Sequence, residues 1–245
     1  MLKFSRQSLI SVVIAPIILL LTSCSDNADL GDTAKSSSPA QKQPGQVFPY
    51  SHNPQRLAKF GPDTCVKCHE KEVTEWKSSH HAKANRAVSV KKDAAAFTPT
   101  RRIKESGVTY EMVQVDDAFK LRVLADDAPT LEYDLVGVIG ETPLRQYLAL
   151  LPGNRFQTIS ATYDVLNDRW VDVFAGEDRL PGEWGHWAGQ GMNWNANCAY
   201  CHTTEYDKAF DFDGNLYQST WIQQGIACAE CHIGLEEHLV ASQAG

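Results

Sequence analysis

The sequence predicts an α+β chain in which helical and irregular segments frame an inserted antiparallel β-rich segment. Three observations carry that prediction. The motif Cys-x-x-Cys-His occurs three times, at Cys65–His69, Cys198–His202 and Cys228–His232. From about residue 97 to residue 178, short runs rich in β-branched and aromatic residues alternate with turn formers. Around the motifs the chain is either free of Gly and Pro, as in Glu70–Ala84, or rich in Gly and Trp, as in Pro181–Gly191.

Taken in order, the elements begin with an export signal over residues 1–23. Lys3 and Arg6 supply a positive start, and Leu9–Leu21 is almost wholly apolar. That run is short and wrongly flanked for a membrane-spanning helix. It ends in Leu21-Thr22-Ser23-Cys24, which resembles a bacterial lipoprotein signal, so Cys24 is the expected lipidated residue. By the same analogy, Ser25 after the Cys favours the outer membrane, with the protein facing the periplasm. An ordinary secreted protein with an incidental Cys is the plainer alternative. Residues 24–54 are rich in Ser, Asp, Gln, Pro and Gly, a composition that predicts a disordered tether. His52 lies at its end and is expected to be solvent-exposed.

Residues 55–245 form the predicted domain. Glu70–Ala84 predicts a helix. Thr109–Val115, Phe119–Leu124, Leu131–Ile139, Tyr147–Leu151, Phe156–Ala161 and Trp170–Phe174 predict strands. Alternation is plain in Phe119, Leu121, Val123 and in Leu131, Tyr133, Leu135. The strand-rich segment contains no His and no Cys, so scaffold is its expected role. The Gly- and Trp-rich stretch after Leu180 suits backbone that wraps a large flat cofactor.

Cys-x-x-Cys-His is the attachment signature of c-type haem. Both thiols add to the haem vinyl groups, and the adjacent His becomes the proximal iron ligand. The motifs therefore predict three covalently attached haem c groups, held by Cys65 and Cys68, Cys198 and Cys201, and Cys228 and Cys231. His69, His202 and His232 are the proximal ligands. Structural zinc could use Cys198, Cys201, Cys228 and Cys231, but leaves Cys65, Cys68 and the thrice-repeated His unexplained. Disulfides across Cys-x-x-Cys would be tight, reactive loops. The haem-packed helical and irregular module thus becomes the expected fold around the β-rich insert.

Five His remain for distal positions: His52, His80, His81, His186 and His238. Met192 is the one plausible thioether, and with His in surplus, two His per iron are favoured. On a continuous helix His81 would lie about 18 Å beyond His69, so His81 is expected to cap a neighbouring haem. His238 would lie about 9 Å beyond His232 if helical and would face away from the third haem. Both arguments predict distal ligands exchanged among closely packed haems.

Cys65–His69, Trp76-x-x-Ser79-x-His81 and the closing pair of motifs resemble the multihaem cytochromes c of the cytochrome c-554/c-prime superfamily. In that superfamily the His of Trp-x-x-Ser-x-His is typically a distal ligand, which assigns the role to His81 rather than His80. A narrower resemblance, over roughly residues 60–240, rests on Leu144-Arg-Gln-Tyr147-Leu148, His186-Trp187 and Asn193-Trp194-Asn195. It implies that His186 and His238 are distal ligands. Many such relatives continue into a helical-repeat region that this chain does not show.

The formal charge is −7, and loss of residues 1–23 removes two further positive charges. So acidic a surface argues against nucleic acid and for basic patches on redox partners. The expected function is an exported, lipid-anchored trihaem cytochrome in the cell envelope, relaying electrons between other redox proteins or cytochromes. The competing expectation is a small multihaem oxidoreductase with one open haem, the first being the leading candidate, acting on a nitrogen or sulfur compound. His80 would then serve as a proton donor.

Overall fold

The computed structural model describes residues 54–105, 107–126 and 128–244. The signal peptide, Cys24, almost all of the tether and His52 lie outside the described residues. Two short helices, α1 (Pro54–Phe60) and α2 (Pro62–Cys65), lead into α3 (Glu70–Ser78). After strand β1 (Asn85–Ala87) and helix α4 (Val90–Phe97) come seven consecutive strands. They are β2 (Arg101–Glu105), β3 (Val108–Val115), β4 (Ala118–Leu124), β5 (Leu131–Ile139), β6 (Leu144–Leu151), β7 (Arg155–Asp164) and β8 (Arg169–Asp172).

Each strand pairs antiparallel with the next, from β2 to β8. The long strand β5 is shared along one edge. Its first half pairs with β4, and its second half pairs with β1 through Asn85↔Ile139, Arg86↔Val138 and Ala87↔Gly137. The sheet curls until β2 lies beside β8. Side chains bridge the remaining seam: Ser160 Oγ donates to Glu105 at 2.7 Å, and Arg101 faces Asp168 at 3.3 Å. The result is a nearly closed antiparallel sheet.

Side-chain alternation along a strand puts successive residues on opposite faces, and here the two faces build different cores. Phe119, Leu121, Leu135, Tyr147, Ala149, Ile159 and Ala161 point inward with Phe97 and Trp170. Phe97 packs against Phe119, Tyr147 and Trp170 at ring centroids of 4.5–5.4 Å. Leu148 and Phe156 point outward and meet Trp194, Ala199 and Trp221 from the C-terminal third. Fully burying a large apolar side chain contributes roughly 1.5–3 kcal/mol, so this outer layer is what fastens the C-terminal third to the sheet.

That third contains α5 (Trp194–Asn197) and α6 (Ala199–His202), β9 (Thr203–Thr204), the hairpin β10 (Phe210–Asp211) with β11 (Leu216–Tyr217), and β12 (Gln223–Gln224) paired with β9. Helices α7 (Cys228–Cys231) and α8 (Leu235–Gln243) close the chain as described. Among the described residues no helix is long and apolar enough to cross a membrane.

Helix α3 is shorter than its sequence suggests. Glu70 and Glu72 favour its N-terminus and Lys77 its C-terminus, but it stops at Ser78. The Ser79 hydroxyl donates to the Trp76 carbonyl at 2.6 Å and accepts from the Ala82 amide at 3.3 Å. A Ser side chain that satisfies local backbone groups in this way competes with helix continuation. The straight-helix rise expected between His69 and His81 therefore does not apply, because the chain turns at Ser79.

Candidate haem attachment sites

In all three motifs the backbone winds through a single tight turn. His69 N–H donates to the Cys65 carbonyl at 2.9 Å, Cys201 N–H to the Cys198 carbonyl at 3.1 Å, and His232 N–H to the Cys228 carbonyl at 2.9 Å. The two Cys and the His stand at i, i+3 and i+4, which share one face of a helical turn. In each motif the first Cys is half-buried and the second is exposed. His69 and His232 are exposed, and His202 is half-buried. This arrangement fits a flat group that lies across the face and is anchored at both thiols. Burial, followed by the neighbouring Cys201, pushes the Cys198 thiol pKa up.

The first and third motifs adjoin. The Cys65 thiol pKa is raised by burial and then by Cys228, whose side chain is within hydrogen-bonding reach. Around them, Trp76 Nε1 donates to the Ile226 carbonyl at 2.7 Å, and Ile226 N–H donates to the His81 carbonyl at 2.9 Å. Gly225 sits at φ +78°, where a Cβ would come within 2.9 Å of the His81 and Ala82 carbonyls. Only Gly allows the strand before the third motif to run this close. Lys59 pairs with Glu236, tying α1 to α8.

The decisive geometry is between His69 and His238. Gly234 at φ +73° turns the chain into α8, and α8 carries His238 back to the first motif. The two imidazole centroids are 6.0 Å apart, with the rings inclined at 37°. Two imidazoles on opposite sides of one metal, each with its nitrogen about 2 Å from the ion, have centroids about 6 Å apart. That spacing would suit one iron shared by His69 and His238.

The second motif is held by a different device. His202 Nδ1 lies 3.0 Å from the Ala84 carbonyl, next to β1. A carbonyl cannot donate, so a hydrogen bond here puts the proton on Nδ1 and leaves the Nε2 lone pair open to a metal, the usual way in which a second partner fixes a ligand His. Gly225 N–H also donates to the His202 carbonyl at 3.1 Å. Ala84 could not be picked out beforehand, since any residue supplies a carbonyl.

His186 is placed less favourably for ligation. Its Nδ1 accepts from the Ala188 amide at 3.2 Å, which leaves the proton of the neutral ring on Nε2. Burial lowers its pKa, favouring that neutral form. Binding iron through Nε2 requires that proton to leave, and binding through Nδ1 requires the Ala188 bond to break. His80 and His81 both have exposed side chains. The defined contact of His81 is through its carbonyl, which the third-motif segment engages.

Among the described residues no group of three or more His, Cys, Asp or Glu side chains is arranged to hold a metal ion, and the six described Cys are free thiols. A family model described as cytochrome c554 and c-prime matches residues 64–112 and 186–233. The matched segments contain all three motifs and pass over most of the sheet. No curated protein and no solved structure matches the chain. The match supports a c-type cytochrome with covalently bound haem, the chemistry that the motif geometry accommodates.

Proposed function

We propose that this chain is a trihaem c-type cytochrome that passes electrons between redox partners, anchored in the cell envelope through Cys24 and facing the periplasm. Bound haem iron supplies the one-electron chemistry, alternating between its ferric and ferrous states. The residues of this chain attach it, orient it and close the iron's coordination. His69 and His238 would close the first site from both sides, and that 6.0 Å pair is the observation that carries the proposal. An iron held on both faces can exchange electrons but has no position for a substrate. Cys65 and Cys228 lie side by side, which supports electron transfer between the first and third haems. The acidic surface favours partners with basic patches.

The test is the absorption spectrum of the reduced, haem-loaded protein before and after carbon monoxide. No change is the expected result, and a change in all three haems contradicts a relay of closed irons.

The second reading, a small oxidoreductase acting on a nitrogen or sulfur compound, draws on His186. With Nδ1 engaged by Ala188, its Nε2–H is a hydrogen-bond donor instead of a ligand. The open site would then be whichever haem His186 faces. A carbon monoxide shift confined to one third of the haem selects this reading.

A further inference from the structure

We propose that Gln157 is the positioning residue of the second attachment site, joining the His186 segment and the Cys198–His202 motif through one buried amide. Gln157 lies within β7 and is 2% exposed. Its Nε2 donates twice, to the Trp187 carbonyl at 2.9 Å and to the Gly189 carbonyl at 2.8 Å. Its Oε1 accepts from Asn193 Nδ2 at 2.9 Å.

Each of those contacts governs a different part of the site. Trp187 and Gly189 flank Ala188, whose amide fixes the ring of His186, so the two carbonyl bonds hold the turn that orients that ring. The anchor is reinforced where Trp187 packs edge-on against Tyr133 at 5.3 Å inside the sheet. Asn193 is the N-cap of α5, where its Oδ1 accepts from the Ala196 amide at 2.9 Å. Helix α5 ends at Asn197, and the next residue is Cys198. A shift in the Gln157 amide therefore moves the His186 turn and the start of the attachment motif together.

The amide chemistry is specific, because the site needs two donors and one acceptor on a planar group. Glu supplies the acceptor and no donors. Met fills the volume and supplies neither, leaving the Trp187 carbonyl and the Asn193 amide without that partner and the Gly189 carbonyl with the Met192 amide alone.

This inference rests on the second motif binding haem, which the haem content of the unsubstituted protein tests separately. The experiment uses the full, haem-loaded chain and compares Gln157→Met and Gln157→Glu with Gln146→Met. Gln146 makes a single bond to the Ile159 carbonyl, between sheet strands, and none to the His186 segment. Redox titration resolved by haem and carbon monoxide binding are the readouts.

The expected result for both Gln157 variants is one haem of the three displaced in potential or newly reactive with carbon monoxide. The other two stay unchanged, and Gln146→Met changes only thermal stability. Where a Gln157 variant matures poorly, peptide mapping is expected to show haem missing from Cys198–His202 alone. Equal loss from all three motifs overturns the proposal. So does a loss of thermal stability with all three haem signals in place.

Discussion

Replacing Asp93 with Ala is expected to destabilise the protein by about 3–5 kcal/mol, the cost of leaving one member of a buried ion pair alone. Asp93 is entirely buried at the start of α4. Its carboxylate takes both terminal nitrogens of Arg86 at 2.7 Å, the Ser89 amide at 2.8 Å and the Tyr147 hydroxyl at 3.1 Å. Arg145 adds a weaker contact at 3.5 Å. The Arg86 side chain is only 15% exposed, so water cannot replace the lost partner. For a chain of this size, 1 kcal/mol shifts Tm by about 2–4 °C, so a fall of roughly 6–20 °C follows. Thermal and urea unfolding of the haem-loaded protein, followed by circular dichroism, measure it. Asp93→Leu combined with Arg86→Met removes both charges and is expected to cost less than Asp93→Ala alone. A loss below about 1 kcal/mol for Asp93→Ala, or a double variant worse than the single, would refute the reasoning.

Four further outcomes follow from the structure. His238→Ala is expected to make one haem of the three react with carbon monoxide while leaving covalent haem content at three; an unchanged spectrum assigns His238 no role at the iron. Trp194→Ala empties the centre of the outer core, where Phe156 and Trp221 pack edge-on at 5.7 and 5.5 Å, and is expected to cost about 3–5 kcal/mol by urea unfolding. Hydrogen bonds from Arg102 hold the Glu111 carboxylate below its usual range, and those from Lys120 do the same for Glu132. A depressed folded-state pKa stabilises the fold above the unfolded value and is lost as pH falls through the folded one. Tm is therefore expected to fall as pH drops below about 4.3. Glu105 has the opposite sign, because burial raises its pKa despite the Ser160 bond. Its stabilisation is present at low pH and declines as pH rises past the unfolded value, so Glu105→Gln should flatten that part of the Tm profile.

How far the sequence could be read depended on whether the signal was local. The six strand runs from Thr109 to Phe174 appear in β3 to β8 because alternation is written residue by residue, with Phe119, Leu121 and Leu135 facing inward as their spacing demands. Strand β2 was not legible: Arg101-Arg-Ile-Lys-Glu105 has a single apolar residue, and it is held by ion pairs and the closing seam. Strand β1 is three residues long and exists because β5 offers an unpaired edge beyond β4. The Cys-x-x-Cys-His faces were visible because i, i+3 and i+4 are neighbours on any helical turn. The meeting of His69 with His238 was not, since it needs α8 folded back onto the first motif. The helical rise used to argue for exchanged ligands fails at Ser79, where the chain turns. Ala84 and Gln157 act through backbone geometry and a buried amide, and neither residue type announces such a role.

The central claim is that all three motifs carry covalent haem. Intact mass of the protein matured with haem and then fully denatured tests it most directly, since only covalent groups survive. The account predicts a mass raised by three haems, which peptide mapping assigns to Cys65–His69, Cys198–His202 and Cys228–His232. A mass with no haem added, in a strain that matures other c-type cytochromes, would contradict it.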